Sequence, residues 1–438
     1  MLIGTVEHEG ALPSGSRYLI EVPKLWNGVV LLFRHPVPVT PDEPPWDSDP
    51  LVAHLVGLGY AVAGSANTIF WPLELAFADH HALLEVVGRA LGPARHTIAL
   101  GQSIGGLISA GLVQRFPGSL SGALAMCGNM AGAVATHNRE LDIAFVVKTL
   151  IAPRSDLQIT GITDPYANLR CSRQVLEQAQ AAPSARARLA LAAAIGNVPG
   201  WHDPATDEPP PEDHEGRQQN QHAWFREICF LVFFWAREQV ERQAGGNPSW
   251  NTDVDYCELL AGSTSRDVVE SLYAAAGLDL DRDLERLGAE PRIAADPAAL
   301  DYLERHIVLS GDLGGVPVLT LHTDGDGLVT PDHQQAYADV VNAAGQQDLL
   351  RQLFIHRAGH CTMTLAEVVT ALDALIERIE GGSWPHLGPR TLNDATRGQG
   401  AQSNVLVSGR PAEARFFDFD PPPFTRRYDI RDVTAALR

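Results

Sequence analysis

Residues 96–112 read HTIALGQSIGGLISAGL: a short apolar run, then Gly101-Gln102-Ser103-Ile104-Gly105 with Gly106 after it, then a run of helical composition. This stretch constrains the architecture more than any other. A strand that turns into a helix within a few residues must bend so sharply that the residue at the tip takes strained backbone angles. Side chains two positions before and after it would strike the strand and the helix. Gly101 and Gly105 meet that demand, and Ser103 sits at the tip. The helix begins at the serine, so free backbone N–H groups and the positive end of the helix dipole lie beside its hydroxyl. A glycine-rich turn with a serine N-cap would share the composition. The strand before it and the helix after it favour a nucleophile elbow made by Gly101, Gln102, Ser103 and Gly105.

A serine hydroxyl is a weak nucleophile at neutral pH, so the elbow requires a histidine base and a carboxylate to orient it. Both are expected in loops after later strands, in the order Ser, Asp, His. VPVLTLHTDGDGLV ends a strand near His322 and offers Asp324 and Asp326. Asp326 is the better placed, because it lies beyond the strand and Gly327, Leu328 and Val329 can turn its carboxylate toward the histidine loop; Asp324 is the alternative. LLRQLFIHRAGH offers His356, which belongs to the strand, and His360, which follows Ala358 and Gly359 in the loop and is free to reach Ser103.

Around these motifs the chain alternates strand and helix up to about residue 135 and again from about 311, the pattern of a mostly parallel sheet with helices on both faces. Between them the sequence is rich in Ala, Leu, Arg and Glu at helical period, which reads as a helical insertion. In it, FFW and its neighbours are apolar all round, so Phe230, Phe233, Phe234 and Trp235 belong either to the core of the insertion or to the wall of an apolar substrate pocket. Asp79, His80 and His81 are consecutive on a helix and diverge, so they make no metal site. The formal charge of −20 disfavours nucleic acid as a partner. No apolar run reaches membrane-spanning length. The five cysteines, Cys127, Cys171, Cys229, Cys257 and Cys361, show no paired spacing, which indicates neither disulfides nor a metal site and fits a cytoplasmic protein.

The motifs GQSIGG, TDGDGLV and RAGH, in that order on alternating strands and helices with a helical insertion before the acid, resemble the α/β-hydrolase superfamily over roughly residues 20–135 and 310–382. WNGVVLLFRH and GYAVAGSANTIFWPLELAFADH resemble, more narrowly, bacterial esterase-like members with large helical lids. The resemblance implies an α/β-hydrolase core over residues 1–135 and 311–382, a lid over 136–310 and an extension, 383–438, packed on the core. It implies a serine hydrolase in which Ser103, His360 and Asp326 act through an acyl-enzyme on a carboxylic ester, with a small-molecule acyl substrate and without cofactor or metal. Homodimerisation is left open. Acyl transfer, lactone opening or closing, peptide cleavage and a catalytically inactive binding protein are the alternatives. The family's oxyanion donors map onto the backbone N–H groups of Ile104 and Val37. Where relatives carry His-Gly-x, this chain has His35-Pro36-Val37 followed by Pro38. Pro36 cannot take a positive φ and Pro38 biases Val37 toward extended geometry, so an altered oxyanion hole is expected, with His35 structural.

Overall fold

In a strand buried on both faces, alternate side chains must serve two different cores. Residues 29–34, VVLLFR, do this: Val30 and Leu32 join one apolar cluster, Val29, Leu31 and Phe33 the other. The computed structural model describes residues 4–34, 46, 49–66, 71 and 73–429. The chain opens with an antiparallel pair, β1 (Thr5–Ala11) and β2 (Arg17–Pro23). The next strands are β3 (Val29–Arg34), β4 (Ala61–Ser65), β5 (His96–Gln102), β6 (Gly122–Met126), β7 (Val318–Gly325) and β8 (Leu350–Ala358). With β9 (Phe416–Phe417) they form one sheet in the order β1-β2-β4-β3-β5-β6-β7-β8-β9, parallel from β4 to β8.

The helices α1 (Pro50–Gly57), α2 (Leu73–Leu91) and α3 (Ile104–Arg115) alternate with these strands. Ile104, Leu107 and Ile108 of α3 pack into the cluster on one face of the sheet, while Leu372 and Leu375 of the helix Leu365–Gly381 pack into the cluster on the other. The reversal of strand order between β3 and β5 leaves a crevice at the carboxyl edge of the sheet, where open α/β sheets place their ligands. Ser103 follows β5 at that edge.

Between β6 and β7 the chain runs through a succession of helices, beginning with α4 (Gly132–Val146) and ending with Pro297–Ile307. This segment has an apolar core of its own. Phe230, Phe233 and Phe234 lie in it beside Leu191, Phe225 and Val268. A π-helical turn, Phe225–Cys229, runs directly into the helix Phe230–Ala244. Trp235 is half-buried, edge-on to Tyr166. Beyond residue 382, the helix Pro389–Gly398 packs against the helix Leu365–Gly381, and β9 adds an antiparallel edge to β8.

Two readings of the sequence change. Strand β7 runs on to Gly325 rather than ending near His322, so Asp326 follows the strand directly. The cysteines also do not all stand apart: Cys127, immediately after β6, is disulfide-bonded to Cys361 across 234 residues, with the Cα atoms 5.7 Å apart. Sequence spacing misses this pair because the strands that carry it become neighbours only through β7. Cys171, Cys229 and Cys257 are free. Opening the disulfide with a reductant, or by Cys127→Ser together with Cys361→Ser, is expected to cost about 2–5 kcal/mol of stability. A thermal midpoint that stays where it was on reduction would contradict this.

Candidate active site

Ser103 has φ 56° and ψ −124°, outside the ordinary regions for a residue with a side chain. The elbow that imposes this is held from both sides. The Ser103 N–H donates to the Met126 carbonyl at 2.9 Å, continuing the β5–β6 ladder, and the Ser103 carbonyl accepts from Gly106 at 2.9 Å, opening α3. The glycines are needed for space. A Cβ on Gly101 would lie 2.3 Å from the Gly105 carbonyl oxygen, and one on Gly105 would lie 2.5 Å from that of Arg34. Cys127 and Cys361 also have positive φ, 39° and 56°, so three of the strained non-glycine residues gather at the carboxyl edge of β5, β6 and β8.

Asp326 is fully buried. Its Oδ1 accepts the backbone N–H groups of Leu328 and Val329, each at 3.0 Å, and its Oδ2 lies 2.7 Å from Nδ1 of His360. A carboxylate so placed holds the imidazole with Nδ1 as donor and leaves Nε2 as the free base. The acid loop is clamped in turn. Arg139, fully buried on α4, donates from Nη2 to the Leu328 carbonyl at 2.9 Å and from Nη1 to the Thr330 hydroxyl. His322 on β7 donates from Nε2 to the Val329 carbonyl at 2.8 Å, and its Nδ1 accepts from Gln334 at 3.0 Å. Because a carbonyl only accepts, these contacts fix the His322 tautomer. Burial holds this imidazole below the ordinary histidine range, against the pull of nearby Asp326.

The alternative pair stands apart. Asp324 bonds His356 Nδ1 at 2.7 Å, and His356 lies between the rings of Trp201 and Phe417. Asp324 and His356 line no part of the cavity that holds the serine.

That cavity measures about 180 Å3 and is lined by Trp71, Ser103, Ile104, Asn129, Glu140, Ile228, Val232, Leu328, Val329, His360 and Cys361. Ser103, Ile104 and His360 are therefore brought together. Nε2 of His360 lies 3.5 Å from Sγ of Cys361, and the Ser103 hydroxyl makes no hydrogen bond to it among the described residues. In unliganded sites this bond is often long and tightens when substrate arrives. Val37, with His35 and Pro36, lies outside the described residues. Phe230, Phe233, Phe234 and Trp235 do not line the cavity. From this helical stretch the cavity takes Ile228 and Val232, beside Trp71, Ile104, Leu328 and Val329 from elsewhere. Sequence reasoning missed Glu140, Asn129 and Arg139, because a polar residue buried on a helix has no hydropathy signature. The grouping of Cys127, His360 and Cys361 has metal-ligand types, but its sulfurs are joined in the disulfide and offer no thiolate.

If Arg139 positions the acid loop, Arg139→Met should speed amide hydrogen exchange at Leu328 and Val329 by at least about tenfold. Exchange as slow as in the parent would sever α4 from the loop.

No family model matches the chain. The o-phthalyl amidase of Xanthobacter agilis is 30% identical over 448 residues, which cover 95% of each chain. Among solved structures, feruloyl esterase B from Aspergillus oryzae superposes with a TM-score of 0.42 at 14% identity, over 87% of this chain and 81% of that one. An esterase from the same organism superposes with a TM-score of 0.44 at 16% identity, over 87% and 80%. Similarity to the amidase over nearly the whole of both sequences, on a parallel sheet with a serine at its strand-to-helix bend, establishes that this chain belongs to the α/β-hydrolase family.

Proposed function

We propose that the chain is a serine hydrolase that opens the carboxylic acyl bond, ester or amide, of a small substrate with an acyl part about the size of one aromatic ring. The observation that carries this is the strained Ser103 facing the same cavity as His360, whose Nδ1 is bonded to the buried Asp326. Ser103 Oγ attacks the carbonyl carbon as His360 Nε2 takes its proton. The charge that develops on the carbonyl oxygen falls beside the Ile104 N–H at the start of α3, with Val37 as the second donor by resemblance. The tetrahedral adduct collapses, His360 returns the proton to the departing alcohol or amine, and water frees the acid by the same steps in reverse.

The size of the acyl group follows from the cavity. A volume of about 180 Å3 is close to the ~150 Å3 apolar cavity that takes up benzene. The walls are largely aliphatic with one indole, which suits a flat apolar ring. Ile228, Val232 and Glu140 come from the helical segment, which supports its reading as a lid over residues 136–310. The amide is included beside the ester expected from sequence because the Xanthobacter agilis relative is an amidase. No helix among the described residues is long and apolar enough to cross a membrane. The Cys127–Cys361 bond supports an oxidising compartment over the cytoplasm.

A fluorophosphonate probe followed by peptide mass spectrometry tests the reading. Label is expected on Ser103 in the parent and absent in Ser103→Ala, and His360→Ala should lower hydrolysis of p-nitrophenyl benzoate by ~1,000-fold or more. A parent protein that hydrolyses neither that ester nor benzoyl p-nitroanilide, with Ser103 unlabelled, would overturn it.

A further inference from the structure

Helix α4 enters directly after β6, and all of its residues from Gly132 to Val146 are buried, although several are polar. Most of that polarity is spent inside the protein. Thr136 bonds the Gly132 carbonyl, Asn138 accepts from the Trp250 N–H, Arg139 clamps the acid loop, and Asp142 accepts from Tyr256 and Arg426. Glu140 differs. It is 4% exposed; its Oε2 lies 2.9 Å from Nδ1 of His137, and its Oε1 has no partner among the described residues. Yet the residue lines the cavity that holds Ser103 and His360.

A carboxylate facing an apolar cavity is costly unless a hydrogen bond completes it. The half that is completed is fixed firmly. His137 is itself buried, its ring stacks in a tilted contact on Trp71 with centroids 4.7 Å apart, and its backbone carbonyl accepts from Arg237 Nη2 at 2.7 Å. His137 presents Nδ1 to Glu140 from a buried ring packed on Trp71, and Oε1 of a residue that lines the cavity is left without a partner among the described residues. Asn129 also lines the cavity, and its side-chain amide likewise has no partner among the described residues. Among the described residues, the polar lining beyond Ser103, His360 and the disulfide thus consists of one acceptor-only carboxylate, one neutral amide and the indole of Trp71.

We propose that Glu140 is a specificity residue of this site: it accepts a hydrogen bond from a hydroxyl or amino group carried by the aromatic ring of the substrate and rejects a ring that carries a carboxylate. The proposal rests on the serine-hydrolase reading for the location of the substrate but not for the recognition itself. A donor on the ring supplies the missing partner of Oε1. A methoxy group has nothing to donate, and a second carboxylate would meet Oε1 as a like charge in a poorly solvated cavity, where repulsion is strong. Asn129, which both donates and accepts, does not discriminate among the three.

Equilibrium binding to the full-length Ser103→Ala protein separates recognition from catalysis. The ligands are methyl benzoates carrying a hydroxyl, a methoxy or a carboxylate at each ring position, measured by calorimetry. At one position the hydroxy compound should bind roughly 10- to 100-fold more tightly than its methoxy partner, with the carboxylate weakest. Adding Glu140→Gln, whose amide can donate, should shrink the hydroxy preference and improve the carboxylate ligand. Equal affinity for hydroxy and methoxy ligands at every position overturns the proposal without the second variant, so a folding defect in Glu140→Gln cannot rescue it. Turnover of p-nitrophenyl benzoate by the parent protein is scored separately. Hydrolysis with no hydroxy preference ends this inference alone, whereas a hydroxy preference without hydrolysis ends the catalytic reading and leaves the recognition standing.

Discussion

The arrangement depends on one buried carboxylate. Asp326 is fully buried and stays there because three N–H groups converge on it: Leu328 and Val329 from its own loop, and Nδ1 of His360. Charge-assisted bonds of this kind offset the loss of water and direct the imidazole at the same time. The loop that supplies two of the donors is tied by its carbonyls to His322 in the sheet and to Arg139 in the helical segment. The sheet and the helical segment therefore meet in the geometry of a single side chain. A change in either reaches His360 through the same few bonds.

Steric demands made the elbow legible in the sequence. A strand-to-helix bend leaves room only for glycine at positions 101 and 105, and the contacts that a Cβ would make there show why. The preference for Asp326 over Asp324 and for His360 over His356 rested in the sequence on which residue leaves its strand, and the structure does place Asp326 just after β7 and His360 beyond β8. Asp326 pairs with His360 and Asp324 with His356, and of these four residues only His360 lines the cavity that holds Ser103.

What escaped the sequence was set by rotation and by distance along the chain. The run from Phe230 to Trp235 is apolar on every side, so its composition could not say which side faces the cavity. In the structure Ile228, within the π-helical turn, and Val232 line the cavity, while Phe230, Phe233 and Phe234 lie in the core of the helical segment. Cys127 and Cys361 carried no local signal, because a pair 234 residues apart is joined only once β6, β7 and β8 lie side by side. Glu140 was invisible for a related reason: buried polar groups on α4 interrupt the hydropathy pattern instead of creating one. The cavity accordingly combines Ser103 and His360, which short motifs mark, with a lining that only packing defines.

If Asp326 acts through His360, removing both should slow the reaction of Ser103 with a fluorophosphonate no more than removing His360 alone. The direct measurement is the second-order labelling rate of Asp326→Asn, His360→Ala and the double variant beside the parent. The account predicts a double variant equal to His360→Ala within a few-fold. Losses that multiply would show that the aspartate and the histidine work independently, and would contradict it.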